Sequence, residues 1–154
     1  MGRYLLVAHQ TADSAELSSR VVELLGDDPA AEFVLLVPAT PIGLLETVGG
    51  ESRTPIEVAR MRARHARSLL DSVGARVTAA RIGSADPFVA VEEELRGGSY
   101  DVVVISTLPH GISRWLRLDL PARVSRRFPR VRVIHVVASA PHMSPVAPER
   151  RHGP

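Results

Sequence analysis

"IGSADPFVAVEEELRGGSYDVVVIST", residues 82 to 107, decides the fold. Asp86-Pro87 opens a helix: the aspartate can accept from the first free N–H groups, and the proline brings its fixed φ to the first turn. Phe88, Val91 and Leu95 recur at helical spacing and mark one apolar face, and Gly97-Gly98 ends it. "YDVVVIST", 100 to 107, follows at once. It is the most uniformly β-branched run of the chain and shows no polar alternation, as a central strand covered on both faces requires. With Ile82 and Gly83 closing a preceding strand, the stretch reads strand, helix, strand.

The same alternation extends outward in both directions. "RYLLVAH", 3 to 9, is a first buried strand, followed by a helix in which Asp13 and Glu16 form a capping-box pair and Leu17, Val21 and Leu24 face the core up to Gly26. "EFVLLVPA", 32 to 39, is the second strand. From Pro38 to Arg53 two prolines and three glycines indicate a long loop. Thr54-Pro55-Ile56-Glu57 then starts the strongest helix, with Ile56, Ala59, Ala63, Ala66, Leu70 and Val73 on one face. "RVTAARIG", 76 to 83, is the third strand. "ARVSRRF", 122 to 128, makes about two turns of helix before the last strand, "VRVIHVVA", 131 to 138. Five strands joined by helices give an α/β, three-layer sandwich: a five-stranded parallel sheet with right-handed crossovers and helices on both faces. The expected domain is 1–138. Residues 139–154, with four prolines and almost no large apolar side chain, read as a disordered Pro-rich tail.

Composition removes several function classes. The chain has 154 residues and no cysteine, which excludes disulfides, thiolate zinc sites, iron–sulfur clusters and a cysteine nucleophile. No apolar run is long enough to span a bilayer and the N-terminus lacks a signal-peptide pattern, so a cytoplasmic location and no membrane partner are expected. All 19 basic residues are arginine, which raises the pI to about 9.9 although the net charge is only +2. That pI is therefore no evidence for nucleic acid. Arg60, Arg64 and Arg67 form a stripe and Arg126, Arg127 and Arg130 a cluster, but aromatic residues are 4% of the chain and no stacking platform appears.

The residues Gly83, Asp86, Pro87, Val91 and Asp101, with the loop, short helix and final strand that follow, resemble the universal stress protein family of the adenine nucleotide alpha hydrolase-like superfamily. The resemblance covers roughly residues 3 to 138. It implies the strand order 3-2-1-4-5, a regulatory or stress-associated role without catalysis, and dimerisation through the last strand. For ATP-binding members it implies a Gly-x2-Gly-x9-Gly-Ser/Thr pattern after the fourth strand, and an acidic residue after the first that corresponds here to Gln10.

In a doubly wound sheet, ligands bind beyond the carboxyl ends of the strands where the strand order reverses. Three loops meet there: "AHQTAD", "VPAT" and "ISTLPHGISRWLRLDLPARVSRR", 105 to 127. Counted forward from the strand, the glycine positions fall on Ser106, Pro109 and Asp119. Counted back from Val124-Ser125, they fall on Pro109, Ile112 and Ala122. Neither register holds a glycine, so side chains stand where backbone N–H groups would approach a triphosphate. Standard ATP binding is not expected and no cofactor is certain. The alternative is an adenine nucleotide, ATP or another, or a different small phosphate ligand, held by arginine and hydroxyl groups. Candidate ligand residues are His9, Gln10, Val37, Ser106, Thr107, His110, Gly111, Arg123, Val124 and Ser125, with Arg114, Arg117 and Ser113 as further donors. Asp119 is expected to cap the next helix, and Trp115 to anchor the loop on a partner or on the sheet. His9 and His110 could share the crevice as acid–base groups, but no third ligand or catalytic motif accompanies them, so no metal site and no enzyme are expected. His135 reads as a satisfied structural residue. The last strand has one charge, no proline and high β-propensity, which invites pairing between chains. Val131, Val133, Ile134, His135, Val136 and Val137 are the expected homodimer contacts.

Overall fold

The computed structural model describes residues 2–41, 47–48 and 51–139, with backbone alone for 47–48 and 51–52. The strands are β1 (Arg3–Val7), β2 (Glu32–Pro38), β3 (Thr47–Val48), β4 (Glu51–Ser52), β5 (Arg76–Gly83), β6 (Val102–Thr107) and β7 (Arg132–Val137). Between them run α1 (Ala15–Asp27), α2 (Pro55–Ser72), α3 (Pro87–Gly97), α4 (Arg114–Arg117) and α5 (Leu120–Arg127). Five strands form one parallel sheet in the order β5-β2-β1-β6-β7, which is 3-2-1-4-5 for the strands expected from sequence. The short β3 and β4 pair antiparallel inside the stretch read as a continuous loop.

Alternation along the buried strands divides the core between two faces. Tyr4 and Leu6 of β1 pack with Leu17, Val21, Ala59, Ala63 and Leu70 of α1 and α2. Leu5 and Val7 pack with Val91, Leu95, Trp115, Leu120 and Val124 on the other side, under α3, α4 and α5. β1, β2 and β6 are buried along almost their whole length because both faces are covered. Gly83 ends β5 where α3 comes closest: an added Cβ would lie 2.7 Å from Ala90 Cβ.

The helix starts differ in detail from the sequence reading. Ser14, not Asp13, caps α1 by accepting from Leu17 N at 3.1 Å. Asp13 faces His65 instead, 3.6 Å away. Thr54 caps α2 and Asp86 caps α3 as expected. On α2, Ile56 is 50% exposed and Val73 37% exposed, so the apolar face is carried by Val58, Ala59, Ala63, Ala66 and Leu70. Those two residues sit in the first turn and just past the last, beyond the reach of the sheet. α5 begins at Leu120, two residues before the expected start, and Asp119 precedes it with φ 55° and no side-chain cap. Its carboxylate lies 3.5 Å from Arg126.

β7 forms one edge of the sheet, as the strand order 3-2-1-4-5 requires. Of the residues named for a dimer contact, Ile134 and Val136 turn into the core of their own chain, while Val131 and Val133 lie partly buried on the other face. His135 and Val137 remain exposed. The domain boundary at 138 and the Pro-rich tail fall, Ser139 apart, outside the described residues. Among the described residues no helix is long and apolar enough to cross a membrane.

Candidate functional site

From β1 the chain steps to β2 on one side, and later returns through β6 on the other, so the loops after these strands part and leave a crevice. It is a cavity of about 450 Å³. Its floor is polar although the strands beneath are apolar. Thr11 Oγ1 and Ser106 Oγ, both buried, share a hydrogen bond of 2.6 Å. Thr107 Oγ1 donates to Leu108 O at 2.9 Å and lies 2.7 Å from His135 Nε2. The threonine has one hydroxyl proton, so Leu108 O and the His135 ring share it as alternative partners, and the imidazole tautomer sets which of the two atoms donates. Burial lowers the proton affinity of His135, with nearby His110 as the second cause.

The roof is the arginine-rich loop, folded more tightly than an extended arm. Ser113 caps α4 by accepting from Leu116 N, and this places Arg114, Trp115 and Arg117 over the opening. Arg114 Nη1 donates to Pro41 O at 3.1 Å and ties the roof to the loop after β2. Arg117 Nη2 donates to Gly111 O at 3.0 Å. Each guanidinium has five N–H donors, so one such bond leaves most of its donor capacity for an anion. Thr40 Oγ1 donates to Ala85 O at 2.8 Å and holds the loop after β2 against the start of α3. Trp115 packs into the core against the sheet, so it anchors the loop on the sheet while one side of it lines the cavity.

His9 stands in the wall. It is 4% exposed and, among the described residues, neither ring nitrogen has a hydrogen-bond partner. Burial, reinforced by the Arg62 charge, lowers its pKa from 6.5 to about 4, so the imidazole is neutral at pH 7.

Of the residues singled out from sequence, His9, Gln10, Ser106 and Thr107 line the cavity, and so do Ser113, Arg114 and Arg117. Val37 does not; it is fully buried inside the α1 and α2 core. His110 and Gly111 are exposed and outside the lining, because the turn into α4 carries them away from the opening. Arg123, Val124 and Ser125 also lie elsewhere, since α5 packs across the sheet rather than pointing into the crevice. Arg123 stacks on the Phe88 ring at 4.2 Å, Val124 is core, and Ser125 is exposed. Sequence reasoning missed Thr11, Thr40 and Pro41. Their only signal was position in the two short loops that the topology brings together.

No protein-family model matches the chain, and no curated protein does. Solved structures do. A universal stress protein from Archaeoglobus fulgidus superposes with a TM-score of 0.58 at 14% identity, covering 88% of this chain and 93% of that one. A universal stress protein in complex with cAMP gives 0.53 at 16% identity, covering 89% and 96%. A universal stress protein family protein from Arabidopsis thaliana with AMP bound gives 0.55 at 13% identity, covering 91% and 94%. The chain has the universal-stress-protein fold along nearly its whole described length.

Proposed function

We propose that this chain is a universal-stress-protein-like binding module, regulatory or stress-associated and not catalytic, whose cavity takes an adenine nucleotide with a single phosphate. The observation that carries this reading is the pairing of Arg114 and Arg117 above a hydroxyl-lined floor, at the switch point of the sheet. Guanidinium groups hold phosphate oxygens in bidentate fashion and need no glycine cradle. A volume of about 450 Å³ lies toward the small end of ligand pockets, which span roughly 300–1,000 Å³. A glycine-bound triphosphate fits less well: Gly111 is exposed, at φ 91°, and does not line the cavity. Two proteins of this fold, compared above, hold cAMP and AMP, which favours the same ligand class here.

The reading extends to a cytoplasmic homodimer joined along β7. Its support is the outer edge of that strand, which pairs with no other strand among the described residues, together with exposed Val137.

Thermal shift with ATP, ADP, AMP and cAMP tests the ligand. AMP or cAMP at about 100 times its Kd stabilises by about 2.7 kcal/mol. ATP is expected to do no better than AMP, and Arg114→Gln to remove most of the response. Absence of any dose-dependent shift, or ATP binding far more tightly than AMP, would overturn the reading.

A further inference from the structure

On the far side of His9 lies a second cavity of about 240 Å³, between the loop after β1 and the first half of α2. We propose that it is a separate site for a small monoanion with an apolar body, a short aliphatic or aromatic carboxylate, held by Arg62 and His9. Both residues line this cavity, and each carries a polar group without a partner among the described residues. His9 is 4% exposed, and neither of its nitrogens has a partner among the described residues. Arg62 Nε is also buried without a partner, and among the described residues its guanidinium enters no ion pair. A neutral imidazole carries one N–H, and guanidinium Nε carries another. One carboxylate has lone pairs enough for both.

The remaining wall selects the rest of the ligand. Ala12 and Val58 are buried, and Met61 supplies a flexible thioether at the edge. The volume falls below the usual lower bound of roughly 300 Å³ for ligand pockets, which suits a body the size of a benzene ring or a short alkyl chain better than a nucleotide. Charge narrows the class further. Asp13 stands at the rim, 3.6 Å from His65, and its carboxylate opposes a dianion such as phosphate more than it opposes a monoanion. Arg62 and Val58 line this cavity alone, and Arg114 lines only the first, so the two sites can be addressed independently.

The test titrates benzoate and hexanoate into the full chain by thermal shift and NMR, with benzyl alcohol as a neutral control. Saturable binding of the carboxylates and none of the alcohol is expected. Arg62→Gln, on the partly exposed surface of α2, should weaken carboxylate binding at least tenfold and leave the AMP response unchanged. Arg114→Gln should do the reverse. Asp13→Asn should strengthen carboxylate binding several-fold. No saturable binding of either carboxylate, or binding that Arg62→Gln leaves intact, would overturn the proposal. Failure of AMP alone to bind would count only against the nucleotide reading.

Discussion

The buried imidazole of His9 ties stability to pH in a way that can be worked through. Its pKa is 6.5 when free and about 4 in the fold, because burial and the Arg62 charge both disfavour the protonated ring. Above pH 6.5 the ring is neutral in both states and contributes no pH dependence. Between 6.5 and about 4 the unfolded chain binds a proton that the folded chain refuses, so stability falls as the pH falls. At about 1.4 kcal/mol per unit the full loss below that window is about 3 kcal/mol. For a chain of this size that corresponds to roughly 6–12 °C in Tm. The Arg62 guanidinium, which lines the same cavity wall, adds its charge to the effect of burial. Urea unfolding of wild type and His9→Leu, from pH 7.5 down to 4, isolates the effect. His135, whose pKa is also lowered, and Glu16, held low by hydrogen bonds from Ser139, add acid sensitivity to both proteins and cancel in the difference. At neutral pH the variant should also gain about 1–3 kcal/mol, because an orphaned donor and acceptor leave the interior. Parallel pH curves for the two proteins would refute the reasoning, and so would a variant that is less stable at pH 7.

Gly83→Ala should cost about 1–3 kcal/mol in urea unfolding, since the new methyl group would lie 2.7 Å from Ala90 Cβ and 2.9 Å from Leu36 Cδ1. Gly26→Ala, with nothing within 4 Å, should instead stabilise α1 by up to about 1 kcal/mol. Sedimentation at micromolar concentration should give a dimer mass for wild type and a monomer mass for Val137→Lys, which puts a charge on the exposed end of β7. A monomeric wild type would dispose of the β7 pairing.

The main lines of the fold were legible because the signals are local and repeated. A β-branched run such as 102–105 has one comfortable conformation and needs cover on both faces, while Thr54-Pro55 and Asp86-Pro87 mark helix starts through bonds made within a single turn. Where two capping residues stood side by side, as at Asp13 and Ser14, local propensity did not choose between them: Ser14 accepts from Leu17 N, while Asp13 turns toward His65 on another helix. The apolar face of α2 was misread at both ends for a related reason: helical spacing names a face but not how far the sheet extends beneath it.

The candidate site divides along the same line. Sequence alone determined that the chain is a parallel α/β domain, that its pocket opens beyond β1, β2 and the strand ending at Thr107, and that the loop 105–127 holds a single glycine, Gly111, because those facts depend on local propensity and on which residue types are present. Only the tertiary structure decided which donors enter the pocket. A left-handed Asp119 and the short turn of α4 swing Arg114 and Arg117 over the opening and leave Arg123 on Phe88, and packing against α2 strands His9 without a partner between two cavities. Side-chain direction after an irregular turn depends on contacts from distant segments, and no periodicity in the chain encodes it.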